Sequence, residues 1–372
     1  AGQELLSQAM REQCDALVFM NAPSPYWVDF AKYLRKYYKI NFIFYSTCSA
    51  LGRPAYWDVE LPNNCSIVSD GVVRWGSYFY DDRVVTRIKD LNPRVVISQG
   101  VNLLSARKAL NYCNKKNIHF SIWNEIWRDK KGTPRKNLSR IYAYAFKRAN
   151  SRFSASIEGK RFWRDLYKQD TLLYQVPGNI DQYLPHKKNH DSNVLTLLFG
   201  HRLIEQYNPV GAVEVASIIA KSRPVKLFMN ASGHLRATID SLIAQKNIDF
   251  LEFIDVTSLS DLGGYYEASH FSISPCFYSQ GNIGTNEALA SGCPIIISDN
   301  VRYHDRQIEE ADVGCILPLN YDLFAEKIIE IYDNKSLYLE MSQNSKVLVK
   351  NTLSNSVLLK YYDECVFCHM GV

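Results

Sequence analysis

The chain has 372 residues, 47% hydrophobic and 22% charged, with a net charge of +5. That length suggests two domains, each with its own core, and the balance is that of a soluble globular protein. The mild charge gives no ground for a nucleic-acid binder. No apolar run of about 18 residues exists to span a membrane, and no signal peptide is legible.

The first half alternates strand and helix. Apolar strands are expected at Ala16 to Met20, Ile40 to Tyr45, Val95 to Ser98, Ile118 to Trp123, Arg152 to Ser156 and Leu172 to Val176. Helical spacing covers Trp27 to Tyr38, Val84 to Leu91, Leu103 to Lys116, Asn137 to Ala149 and Glu158 to Tyr167. Strands separated by helical patterns argue for a parallel sheet covered on both faces. Two loops follow strands at the carboxyl edge, where open α/β sheets bind ligands. One is Asn21 to Tyr26, stiffened by two prolines; the other is Trp123-Asn-Glu-Ile-Trp127. Glu125 in the second loop is a candidate general base on an acceptor hydroxyl, or a group that positions the acceptor. Trp123 and Trp127 suit either a sugar ring or a packed core.

The basic residues Arg128, Lys130, Lys131, Arg135, Lys136, Arg140, Lys147, Arg148, Lys160, Arg161 and Arg164 cluster in this half. They form either a solvated helix face or a patch for anionic lipid headgroups or an acidic glycan. Peripheral membrane association through a basic N-terminal domain is therefore an expectation, with no nucleic-acid partner.

Pro177 to Pro185 and the polar run His186 to Ser192 carry Pro and Gly punctuation and read as a linker. The expected domains are 1–178, a linker 179–192, a second domain 193–353 and a terminal helix 354–372. The second half repeats the rhythm. Strands are expected at Val194 to Phe199, Val225 to Met229, Phe250 to Ile254, Phe271 to Ser274 and Ile295 to Ile297. Helices are expected at Val210 to Ala220, Leu235 to Gln245, Ser258 to Ala268, Asp322 to Tyr332, Leu337 to Lys350 and Ser354 to Phe367, with Ser258 as an N-cap.

Between Phe271 and Ile297 lies a Gly-rich loop, Gln280 to Gly284, and a helix expected to hold Glu287 in its first turn. Short residues at a loop-to-helix junction let backbone N–H groups converge on an anion. A carboxylate just inside the helix can accept hydrogen bonds from a sugar diol. The candidate donors are Asn282, Ile283, Gly284 and Thr285.

The nine cysteines are irregularly spaced. Cys113, Cys276, Cys293 and Cys315 read as buried small hydrophobes, and the expected compartment is reducing. Cys365 and Cys368 with His369 form a lone C-x-x-C, a weak zinc signal. No His, Asp or Glu group has convincing metal spacing. His119 reads as a core histidine; His234, His304 and Asp305 are candidates for lining a nucleotide site.

These motifs resemble the donor-nucleotide signature of GT-B glycosyltransferases, most nearly group 1, or family 4. Glu287, Ala288, Ala290, Gly292 and Pro294 match its second half, and Ser279 occupies the position of its leading acid, beside the transferred sugar. His201-Arg202-Leu203 resembles the family's Gly-Arg-Leu, whose Arg contacts the pyrophosphate; Tyr207 stands where the family adds a Lys. Pro177 to Pro185 resembles its interdomain segment. The resemblance implies two Rossmann-like α/β domains with parallel sheets facing a central cleft, and a terminal helix returning to the first domain. It implies a hexosyltransferase moving a sugar from a nucleotide-diphosphate sugar to a glycan or lipid-linked acceptor in surface polysaccharide assembly, such as lipopolysaccharide or capsule. Retention of configuration follows from the family, and metal-independence agrees with Asp81 and Asp82 being adjacent rather than spaced. No cofactor is expected beyond the donor substrate. The expected location is the cytoplasm, at the inner face of the membrane if the basic domain binds there. The alternatives are a nucleotide-sugar epimerase on the same fold and a non-catalytic module of a larger assembly protein.

Overall fold

The computed structural model describes residues 13–75, 78–100, 103–125, 144–173, 176–178, 180–256, 258–279, 283–301 and 307–364. The chain divides into two compact units, residues 1–177 with 355–372, and residues 178–354.

The first unit holds strands β1 (Cys14–Met20), β2 (Ile40–Phe44), β3 (Cys65–Ile67), β4 (Val72–Trp75), β5 (Tyr78–Asp81), β6 (Pro93–Gln99), β7 (His119–Asn124), β8 (Ser151–Ser154) and β9 (Leu172–Leu173). Its helices are α1 (Pro25–Leu34), α2 (Val84–Leu91), α3 (Leu103–Lys116) and α4 (Ile157–Tyr167). Seven strands form one parallel sheet in the order β3-β2-β1-β6-β7-β8-β9. β1 is apolar along almost its whole length because helices cover both faces of such a sheet. Pro25 opens α1 with a preset φ.

The second unit holds β10 (Leu195–Phe199), β11 (Val225–Asn230), β12 (Leu251–Ile254), β13 (Phe271–Ser274), β14 (Ile295–Ser298) and β15 (Gly314–Leu317). Its helices are α5 (Pro209–Ala220), α6 (Arg236–Lys246), α7 (Leu259–Ala268), α8 (Ile283–Ala290), α9 (Gln307–Glu310), α10 (Tyr321–Asp333) and α11 (Lys335–Leu353). The six strands are parallel, in the order β12-β11-β10-β13-β14-β15. One apolar core under this sheet is built on Leu197, Phe199, Val213, Leu227, Ile273 and Phe324. A second, on its other face, is built on Leu198, Tyr266, Leu289 and Ile297. Ser258 caps α7 as expected, in a reciprocal box in which Asp261 Oδ2 accepts the Ser258 N–H at 2.8 Å.

Several boundaries differ from the sequence reading. α8 begins at Ile283, so Glu287 is its fifth residue and stands in the second turn, not the first. β3, the antiparallel hairpin β4–β5 and β15 carry no strong alternation and were not expected. The strand expected at Leu172 to Val176 shortens to Leu172–Leu173, with residues 174 and 175 outside the described residues. The stretch read as a linker packs into the second unit: Ile180 and Tyr183 are buried in its core, and His190 Nε2 lies 2.6 Å from the Tyr332 carbonyl. A terminal helix, α12 (Asn355–Tyr362), belongs to the first unit, where the Tyr362 ring packs edge-on against Phe30 at 5.6 Å.

Candidate functional site

In an open parallel sheet, neighbouring strands whose crossovers leave in opposite directions open a crevice at their carboxyl ends. In the second unit that point falls between β10 and β13. The residues after these strands meet there: His201 Nε2 lies 2.7 Å from Ser274 Oγ. The His201 ring stacks on Tyr207 at 4.7 Å. Burial pushes the imidazole down to about 4, so it is neutral near pH 7. Tyr207, in the position of the family's lysine, thus supports a ring rather than adding a charge.

Arg202 follows His201 and is half-buried. Its loop is fixed by the next residue. The Leu203 N–H donates to the Ser232 carbonyl at 2.7 Å, and the Leu203 carbonyl accepts from the Leu235 N–H at 3.0 Å. Gly233 lets the two loops touch: its φ is +136°, and a Cβ there would run into the Leu203 backbone.

Glu287 is 6% exposed and accepts a hydrogen bond from the Tyr266 hydroxyl at 3.0 Å through Oε2. Burial raises its carboxyl to about 7, and the hydroxyls of Tyr266 and Tyr183 pull the other way. The two tyrosine rings meet edge-on at 5.5 Å. Lys188 holds the end of α7 in place by donating to the carbonyls of Tyr266, Glu267 and Ser269. Gly200 and Gly284 flank the Tyr266 hydroxyl: a Cβ on either would lie 3.7 or 3.2 Å from it. A carboxylate has about four acceptor positions, so the Tyr266 hydroxyl orients Glu287 and leaves capacity for further donors.

Ile283, Gly284 and Thr285 form the first turn of α8, where N–H groups have no partner within the helix. Asn282, the fourth expected donor, lies outside the described residues, as do Trp127, His304, Asp305, Cys365, Cys368, His369 and the basic residues from Arg128 to Arg140. Ser279 is buried; its N–H donates to the Asn300 carbonyl at 3.1 Å, and the residue bridges to Val301. His234 is exposed and bonds to Glu205 at 2.8 Å. Among the described residues no group of three or more His, Cys, Asp or Glu side chains could hold a metal.

Glu125 belongs to the first unit, just after β7, and is half-buried. Burial, and then the Glu125 carboxylate, push the Tyr26 hydroxyl up to about 12, so Tyr26 is a donor beside that carboxylate. The Tyr26 ring meets Trp57 edge-on at 6.0 Å, and Arg53 lies over Trp57 at 5.6 Å. The switch point of this sheet lies between β1 and β6, where the Asn21 N–H donates to Gln99 Oε1 at 3.1 Å. An apolar pocket beneath it is lined by Met20, Trp27, Ile97, Trp123 and Tyr362. Trp123 is packed edge-on against Trp27 at 5.3 Å, which makes it core. His119, half-buried with Nε2 2.8 Å from Ser151 Oγ, is a partnered histidine as expected.

The second unit therefore carries Arg202, Ser279, the α8 turn and Glu287, and the first unit carries Glu125. Sequence reading missed Tyr266 and Tyr183 as partners of Glu287: Tyr266, 21 residues before it, belongs to no motif, and Tyr183, 104 residues before it, lies in the segment Pro177 to Pro185, where nothing local points to Glu287. It also missed Arg53 and Trp57, in a stretch without periodicity.

Two parallel α/β units with ligand-type crevices define a GT-B architecture. A family model described as glycosyl transferases group 1 matches residues 182–347. The match covers less than half of the chain, so the second unit is similar to group 1 glycosyltransferases, and the two units together have the GT-B fold. No curated protein sequence matches it. Among solved structures it is similar to a sucrose-phosphate synthase from Thermosynechococcus elongatus (TM-score 0.73, 13% identity, 97% of this chain and 100% of that one). It is also similar to HepE of Anabaena in complex with UDP and glucose (0.70, 10%, 95% and 99%). A third similar structure is WaaG, a glycosyltransferase involved in lipopolysaccharide biosynthesis (0.66, 12%, 94% and 99%).

Proposed function

We propose that the chain moves a sugar from a nucleotide-diphosphate sugar to a glycan or lipid-linked saccharide in surface polysaccharide assembly, in the cytoplasm, with retention and without a divalent metal. The observation that carries this reading is Glu287, buried and oriented by Tyr266 in α8, the helix whose first-turn N–H groups have no partner within the helix. The carboxylate accepts from the ribose hydroxyls, while the N–H groups of Ile283, Gly284 and Thr285 meet the diphosphate. Arg202 adds a forked cation to the leaving group. Ser279 offers the transferred sugar a neutral hydroxyl where a carboxylate would add charge. Glu125, with Tyr26, positions the acceptor hydroxyl. HepE, crystallised with UDP and glucose, and WaaG, from lipopolysaccharide assembly, support the donor and acceptor classes.

A panel of UDP, GDP, ADP and their sugars, scored by thermal shift, tests it. A true donor raises the melting temperature by mass action, and Glu287→Ala abolishes the rise. A shift unchanged in the variant removes Glu287 from the donor site. No shift with any member removes the donor reading itself.

A further inference from the structure

The β4–β5 hairpin was not visible in the sequence, and it presents an unusual face. Residues opposite each other in an antiparallel pair share a face, as do residues two apart. Val73 pairs with Tyr80 and Trp75 with Tyr78, so these four side chains lie together. Three of them are left open: Trp75 is 86% exposed, Val73 63% and Tyr78 40%, while Tyr80 is half-buried. The opposite face holds Phe79 and Asp81, both buried, so the hairpin is anchored on that side. Arg87 clamps Asp81 at 3.0 Å and Ser105 Oγ accepts its N–H at 2.7 Å.

The open face continues onto α3. Lys108 Nζ lies over the Tyr80 ring at 4.7 Å, and Leu104, one turn earlier, is 53% exposed. Cations border this ground. Arg107 and Arg148 both lie over the Tyr144 ring, at 4.6 and 4.1 Å. Aliphatic, Trp and Tyr side chains rimmed by Lys and Arg suit a membrane interface, where ring bodies enter the acyl boundary and cations meet headgroups. A glycan would stack on the rings and gain nothing from Val73 and Leu104. A protein partner core is depleted in Lys.

We propose that this hairpin and α3 face, Val73, Trp75, Tyr78, Leu104 and Lys108, docks the first unit onto an anionic lipid bilayer. The charge is complementary, the apolar groups are exposed on a two-stranded support whose other face is anchored by Phe79 and Asp81, and none of the residues proposed for the donor site takes part.

Sedimentation with vesicles of phosphatidylcholine alone, and with one third phosphatidylglycerol, tests it on the full chain. The wild type binds the anionic vesicles and leaves the neutral ones largely free. Trp75→Ser with Leu104→Ser lowers the partition coefficient tenfold or more, because two buried apolar groups are lost. Lys108→Ala lowers it about fivefold, the equivalent of about 1 kcal/mol per basic residue. All three residues are exposed, so unchanged melting temperatures certify folding. Equal binding by the Trp75 and Leu104 variant moves any membrane contact elsewhere and overturns the assignment. So does binding to neither vesicle, and so does capture of a soluble acidic glycan with no vesicle binding.

Discussion

Glu287 carries a conflict between stability and function. Its carboxyl is raised from 4.5 to about 7 by burial. A group raised in this way supports folding fully below its unfolded value and loses that support as pH rises through about 7. At pH 8 the free protein therefore holds a buried carboxylate at a cost. Glu287→Gln keeps the shape and removes the charge, so the variant melts higher than the wild type at pH 8 and gains nothing at pH 5. Its nucleotide affinity falls in the same experiment, because the ribose hydroxyls lose a charged acceptor. In the wild type that affinity weakens as pH drops below about 7, and in the variant the profile is flat. Titration calorimetry from pH 6 to 8.5 with the nucleoside diphosphate giving the largest thermal shift measures both. Tyr266→Phe moves the wild-type midpoint upward, since its hydroxyl stabilises the ionised form. A midpoint indifferent to both variants assigns the titration to another group.

The elements show how the loop carrying Arg202 is held. The loop after β10 contains Arg202 and is tied to the loop after β11 through Leu203, Ser232 and Leu235. Gly233→Ala must either push these loops apart or leave a left-sided φ that L side chains rarely adopt. The expected cost is roughly 2 kcal/mol or more, with a melting point several degrees lower. Nucleotide affinity falls as well, since Arg202 moves with its loop. A circular-dichroism melt and the same calorimetry check this, and wild-type affinity in a destabilised variant would free Arg202 from the loop's geometry. This coupling was not legible beforehand. The apolar runs of β1, β10 and β14 and the Ser258 cap could be read because each signal is local. Contacts such as Leu203 on Gly233, or Tyr183 and Tyr266 on Glu287, join residues far apart in sequence, and only the strand order brings them together. The hairpin escaped for a different reason: its exposed Val, Trp and Tyr erase the alternation of buried and polar residues by which a strand is recognised.

Across the whole molecule, buried ionisable groups set the acid response. His201 and His270 are both pushed down from 6.5 to about 4, by burial first. For His270 the structural reason is visible: Nδ1 accepts the Thr196 N–H at 2.9 Å, and a proton there would displace that bond. His186 is lowered by burial as well. Such groups cost nothing above their unfolded value, and stability is lost as pH falls below 6.5, where only the unfolded chain takes up the proton. Glu287 and Asp81, both raised by burial, act in the opposite sense. Between pH 6.5 and 5 the two histidines held near 4 oppose Glu287, held near 7, so unfolding takes up about one net proton from these three groups and their contribution to stability falls by about 1.4 kcal/mol per pH unit. Urea midpoints at pH 7 and pH 5 should therefore drop in the wild type. In Glu287→Gln the drop should be about twice as large, because the acid that offsets one of the two histidines is gone. A higher midpoint at pH 5 than at pH 7 in that variant would mean that the histidines are charged in the folded state. Acid thus lowers stability through the histidines and, on the proposed function, weakens nucleotide binding through the protonation of Glu287.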